Sequence, residues 1–170
     1  MNLDDIQAVI ESAKSRGTGS LERFVRERIP EATEDEVRET GDVVLEVIES
    51  VPVLLARAQQ EARDRNLLPV VAPLLDHAAN YFMRPVDLMP EMTQGLAGLI
   101  DDTYLVFRML QNLEKGPEKL VAWDLEDPLR LLDRLLERKT ARQLDAIALM
   151  AMQEVENHLA ELWSRMGHPA

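Results

Sequence analysis

Leu3, Ile6, Val9, Ile10 and Ala13 recur at spacings of three and four, the period that gathers apolar side chains on one face of a helix. Gly17-Thr-Gly19 ends that segment, and Ser20 opens a second one carrying Leu21, Phe24, Val25 and Ile29, stopped by Pro30. Thr33 followed by Glu36 has the form of a capping box: the hydroxyl accepts from an early backbone N–H while the glutamate reaches back. A third helix then follows through Val37, Val44, Leu45, Val47 and Ile48. Pro52 has no N–H to donate, which predicts a break or sharp kink at Ser50-Val-Pro52. Val53, Leu54, Ala58 and Ala62 carry a weaker stripe on to Arg65-Asn66. From Leu67 to Phe82 the chain is apolar almost all round, the pattern of a helix at the centre of a bundle.

Beyond an interruption, Ile100, Tyr104, Val106, Phe107, Leu110 and Leu113 mark another helix, closed by Lys115-Gly116-Pro117. Asp127-Pro128 opens one with Leu129, Leu132, Leu135 and Leu136 on one face. Residues 141–165 hold the longest unbroken stripe: Leu144, Ile147, Ala148, Ala151, Met152, Val155, Leu159, Leu162 and Trp163. No strand alternation or internal repeat competes with it. The expected architecture is all-α, a single domain over residues 1–170 built as a bundle of about seven or eight helices. A kinked Pro/Gly/Asp turn separates its two central helices, and residues 1–30 are expected to form an arm docked less tightly.

Composition narrows the function. Hydrophobic residues at 46% and charged residues at 29% are those of a globular chain with a core. Aromatics at 4% leave Leu, Val, Ile, Ala and Met to fill it. A net charge of −12 disfavours nucleic acid, which demands clustered cations, and disfavours anionic membrane surfaces for the same reason. Arg57, Arg63 and Arg65 are interleaved with Glu61 and Asp64 and read as a solvated face. With no cysteine there is no thiol chemistry. No apolar run nears the roughly 20 residues that span a bilayer, and the acidic start Met-Asn-Leu-Asp-Asp lacks a signal-peptide pattern. A cytoplasmic location is expected.

The interruption itself is dense in punctuation: Pro85-Val-Asp87-Leu-Met-Pro90-Glu91, then Gly98-Leu-Ile-Asp101-Asp102. Pro85 stops the incoming helix, Asp87 suits a cap, and Gly95 or Gly98 permits a tight bend or close helix approach. Asp101 and Asp102 fall in the first turn of the next helix, where negative charge meets the positive end of the helix dipole. Together with Tyr81, four residues before Pro85, this order resembles the YkvA-like family, a bacterial domain of unknown function, over about residues 52–113. Leu54-Leu55, Asp64 and Pro69 stand where that family's lead-in has comparable residues. Glu91 replaces its usual aspartate, and the stretch from Pro90 to Gly98 is more polar than the family's. The resemblance implies an architecture and no mechanism.

The same turn admits a sharper reading. Asp87, Glu91, Asp101 and Asp102 offer the oxygen ligands that Mg²⁺, Mn²⁺ or Ca²⁺ accept. The spacing matches neither an EF-hand nor a paired-histidine zinc motif, and no Glu-x-x-His is present. His77 next to Asp76 is not a catalytic pair, because neighbours on a helix point about 100° apart. None of His77, His158 and His168 completes a nucleophile–base–orienter set, and Gly17-Thr-Gly19 is no phosphate loop. Met83, Met89, Met92, Met109, Met150, Met152 and Met166 read as core fillers ahead of a partner groove, and Trp123 as a pin for its loop ahead of an interface anchor. The sequence thus points to a non-enzymatic helical interaction or scaffold protein that needs no cofactor and binds another protein or itself. Its turn, made of Pro85, Asp87, Pro90, Glu91, Gly98, Asp101 and Asp102, reads as structural. The alternative is a protein, or an enzyme, dependent on a divalent cation held by the four carboxylates.

Overall fold

The structure, a computed structural model, describes residues 2–83, 95–114, 120 and 123–165, with side chains as far as residue 157. Among the described residues there are seven α-helices, one 3-10 helix and no strand: α1 (Leu3–Lys14), α2 (Gly19–Arg28), α3 (Glu34–Asp64), α4 (Leu68–Met83), the 3-10 helix Leu96–Leu99, α5 (Ile100–Asn112), α6 (Glu126–Leu135) and α7 (Arg138–Arg165). None of these helices is long and apolar enough to cross a membrane. The protein is an all-α bundle.

Local chemistry sets the helix ends. Thr33 Oγ1 accepts from the Glu36 N–H at 3.3 Å, and the Thr33 N–H donates to Glu36 Oε2 at 2.7 Å, completing the capping box. At the other end of α3, Asn66 takes φ 56°. There the Leu67 N–H donates to the Ala62 carbonyl at 2.7 Å and the Asn66 N–H to the Arg63 carbonyl at 3.0 Å. That pair of bonds is a Schellman closure, with asparagine in the left-handed position glycine usually fills. It turns the chain directly into α4.

The break expected at Pro52 is absent, and α3 runs through it as one helix. Val47, Ile48, Val51 and Leu55 are buried on both sides of the proline, so packing along one continuous face outweighs the one lost hydrogen bond. Two expected helices therefore merge. Nor are residues 1–30 a loosely held arm: Ile6, Ile10, Leu21 and Val25 are fully buried in the same cluster as the rest of the core. The most enclosed helix is α5 rather than the more apolar α4. It packs against α3, α4, α6 and α7, and every residue from Ile100 to Phe107 is buried, Asp101, Asp102 and Thr103 included.

Two glycines predict opposite responses to alanine. At Gly41, inside α3, a Cβ would sit 3.7 Å from Glu22 Cγ and 4.0 Å from Leu21 Cβ, ordinary contact distances. Gly41→Ala should gain about 0.5–1 kcal/mol of helix propensity, a rise of roughly 1–4 °C in Tm. Gly95 has φ +80°, and a Cβ there would meet Ser20 Oγ at 3.1 Å. Gly95→Ala should lower stability by about 1 kcal/mol or more. Thermal melts of both variants check this; a fall for Gly41→Ala would mean the α2–α3 contact cannot admit a methyl group.

Candidate functional site

Of the residues in the punctuated turn, Pro85, Asp87, Pro90 and Glu91 lie outside the described residues. Gly98 sits half-buried in the 3-10 helix, which is tied to α2 by the Ala97 N–H donating to Ser20 Oγ at 3.4 Å. Asp101 and Asp102 occupy the first turn of α5, as expected, but at 5% and 3% exposure. The Asp102 N–H donates to Asp101 Oδ1 at 3.1 Å, and Thr103 Oγ1 donates to the Leu99 carbonyl at 2.6 Å.

Burial pushes the Asp102 carboxyl up to about 9, and the Asp101 carboxylate beside it adds to the shift. Asp102 therefore holds its proton at neutral pH, which corrects the expectation of a charge set against the helix dipole. Its Oδ2 has no hydrogen-bond partner among the described residues. Consecutive aspartates at a helix start look like a solvated pair in sequence; only the packing of α5 on several sides hides them. Among the described residues no group of three histidine, aspartate or glutamate side chains is placed to hold a cation. Two of the four proposed ligands, Asp87 and Glu91, are not among those residues.

A polar network that the sequence did not suggest joins α5 to α7. Tyr104, counted above as part of an apolar stripe, is fully buried and donates its hydroxyl to Asp145 Oδ1 at 3.0 Å. Arg108 donates to the same hydroxyl from Nε at 3.0 Å and from Nη2 at 2.9 Å, and its Nε lies 2.9 Å from Asp145 Oδ1. The guanidinium also stands 5.1 Å from the Tyr104 ring centroid. Burial pushes the phenol up to about 12 against the pull of Arg108, so the hydroxyl remains a donor. The i,i+4 spacing of Tyr104 and Arg108 was the available signal. His77 is half-exposed and meets Glu154 at 2.8 Å, linking α4 to α7.

Between α3, α5 and the segment leading into α6 lies a hollow of about 400 Å³. Phe107, Val47 and Leu125 are its buried part, Leu54, Trp123 and Pro128 its half-buried walls, and Val43 its 46%-exposed rim. Glu46, Ser50 and Asp124 supply its polar edge. Trp123 packs against the core, so it does pin its segment, and it also faces this opening. A second hollow, of about 430 Å³, is bounded by α1 and by Met83 and Gly95, which border the undescribed residues 84–94. The methionines divide: Met109 is core, Met83 and Met152 lean on it, and Met150 is 62% exposed beside Leu149 at 58%. Met89, Met92 and Met166 lie outside the described residues, as do the side chains of His158, Leu159, Leu162, Trp163 and His168.

No protein family, no curated protein and no solved structure matches this chain.

Proposed function

We propose that this chain is a non-enzymatic helical interaction protein of the cytoplasm, a relative of the YkvA-like domains, that binds another protein through the Trp123 hollow. The observation that carries the reading is the hollow itself: an apolar opening of about 400 Å³ with a half-buried tryptophan in its wall and an exposed valine at its rim. Tryptophan is among the residues on which binding energy concentrates once a partner covers it and excludes water. The polar networks described above instead bind the protein's own helices together.

Val43→Asp is the informative variant, because the side chain is exposed and its loss leaves the core intact. Light scattering across a wide concentration range and capture on immobilised protein are the measurements. Wild type is expected to retain a partner, or a second copy, that Val43→Asp holds at least about tenfold more weakly, a difference of ~1.4 kcal/mol. A chain that stays monomeric and retains nothing that Val43→Asp loses overturns the reading.

A second reading, divalent-cation binding by Asp87, Glu91, Asp101 and Asp102, is favoured by one observation. Asp102 Oδ2 is buried without a partner among the described residues, and a cation would supply one.

A further inference from the structure

We propose that the hollow accepts a cationic amphipathic helix of another protein, which seats an apolar side chain beside Trp123 and lays its Lys or Arg flanks on Glu46 and Asp124. The inference rests on the interaction reading above and adds the chemistry of the partner.

Charge selects the occupant. Glu46 and Asp124 are the charged residues lining the hollow, and no Lys, Arg or His is among its described lining residues. Glu39 and Asp42, one turn before and one residue before Val43, add exposed acid to the same stretch of α3. None of these four carboxylates takes part in an ion pair among the described residues. Some acidic residues elsewhere are answered by cations, Glu34 by Arg26, Glu137 by Arg28, Asp145 by Arg108, and Glu126 and Asp127 by Arg130. What sets this group apart is that it borders an apolar opening. Asp124 Oδ1 accepts from the Glu126 N–H at 3.1 Å, but none of the four has a cation beside it among the described residues. Carboxylates so placed around an apolar opening fit a partner that brings the cations.

The other occupants fit less well. A second copy brings a further −12 charge and sets like against like at the rim. An anionic bilayer is repelled for the same reason. A neutral small molecule would use the apolar part and leave the carboxylates idle. Strand addition needs a sheet edge, and there is no strand among the described residues, so the partner lies in the groove as a helix along the exposed face of α3 at Val43 and Glu46.

The test uses the full chain carrying Trp163→Phe, which leaves Trp123 as the only tryptophan of the two. Three designed peptides of about 18 residues, each free of tryptophan and long enough to form a helix, carry one leucine stripe at three-four spacing and differ only in Lys, Gln or Glu elsewhere. The Lys peptide is expected to shift Trp123 emission on binding, with an affinity that falls as salt rises, and the Glu peptide to leave it unchanged. Charge reversal by Glu46→Lys with Asp124→Lys should weaken the Lys peptide at least about tenfold, and Val43→Asp should weaken it too although it adds negative charge. If the Lys peptide binds Val43→Asp as well as wild type, the attraction is diffuse charge and the proposal falls. Equal binding of all three peptides also overturns it, while the interaction reading stands on the hollow alone. Binding of none of them overturns the proposal as well, and partner capture then decides the broader reading.

Discussion

Replacing Asp102 by asparagine is expected to stabilise the protein at neutral pH and to flatten the pH dependence of its stability. The side chain is 3% exposed, and one oxygen lacks a partner among the described residues. Burial, with repulsion from Asp101, raises its pKa from 3.8 to about 9. In the unfolded chain the same carboxyl ionises at its ordinary value. Between those two values the folded state holds a proton that the unfolded state has released, so stability falls as pH rises. The contribution is fully present below the unfolded value and lost once pH passes the folded one. Each pH unit in that window is worth ~1.4 kcal/mol, so by pH 7 the loss reaches about 4 kcal/mol. Asparagine keeps the shape and has no proton to release. Asp102→Asn should therefore exceed wild type by a few kcal/mol at pH 7, roughly 1.4 kcal/mol more for each unit gained. Urea unfolding of both proteins from about pH 6 to pH 8 measures it, and every titrating group that does not interact with Asp102 cancels in the difference. A difference that does not change with pH would mean that Asp102 ionises freely in the fold.

The same two proteins, with Asp101→Asn beside them, decide the cation reading. A divalent ion held by Asp101 and Asp102 would displace the proton, supply the missing partner and raise the wild-type midpoint by mass action. Asp101→Asn and Asp102→Asn would lose that response. A wild type whose midpoint ignores Mg²⁺, Mn²⁺ and Ca²⁺ leaves a buried acid and no metal site.

Why was so much of the bundle legible, and its centre not? The Thr33–Glu36 box and the three-four stripes of α1, α2 and α7 are local signals, decided within a turn or two, and they could be read directly from the residues. Pro52 misled because its local penalty is certain, whereas the compensating burial of Ile48, Val51 and Leu55 depends on partners far along the chain. The apolar sequence of α4 points to it as the centre. α5 is more enclosed because helices pack on several sides of it, and it takes Asp101, Asp102 and the Tyr104 hydroxyl into the interior. The hollow was out of reach for the same reason: Trp123 was visible as an oddity, but Val43, Phe107 and Pro128 meet it only through the fold. In each case a sequence pattern records the face a helix offers, and the number of neighbours is settled elsewhere.

Tyr104 predicts the other large effect, and a pair of substitutions divides it. It is fully buried, with its ring in the core and its hydroxyl between Arg108 and Asp145. Tyr104→Phe keeps the ring and removes the hydroxyl. Arg108 Nε still reaches Asp145 at 2.9 Å, and both of those side chains have access to water, so no charge is stranded. The expected cost is about 1–2 kcal/mol, that of hydrogen bonds to partly solvated charged groups. Tyr104→Ala also deletes the ring, leaves a cavity between α5 and α7, and removes the surface over which the guanidinium stands at 5.1 Å. Loss of a buried aromatic costs roughly 3–5 kcal/mol, and with the hydroxyl the total comes to about 5 kcal/mol, a large share of the 5–15 kcal/mol that holds a typical domain folded. Urea titrations followed by circular dichroism give both values. If Tyr104→Phe cost as much as Tyr104→Ala, the network would be the main tie between α5 and α7; if it cost nothing, the ring alone would hold them. The expected ratio, with most of the loss in the ring, makes the hydrogen bonds a means of fixing how α7 lies against α5 rather than the source of their cohesion.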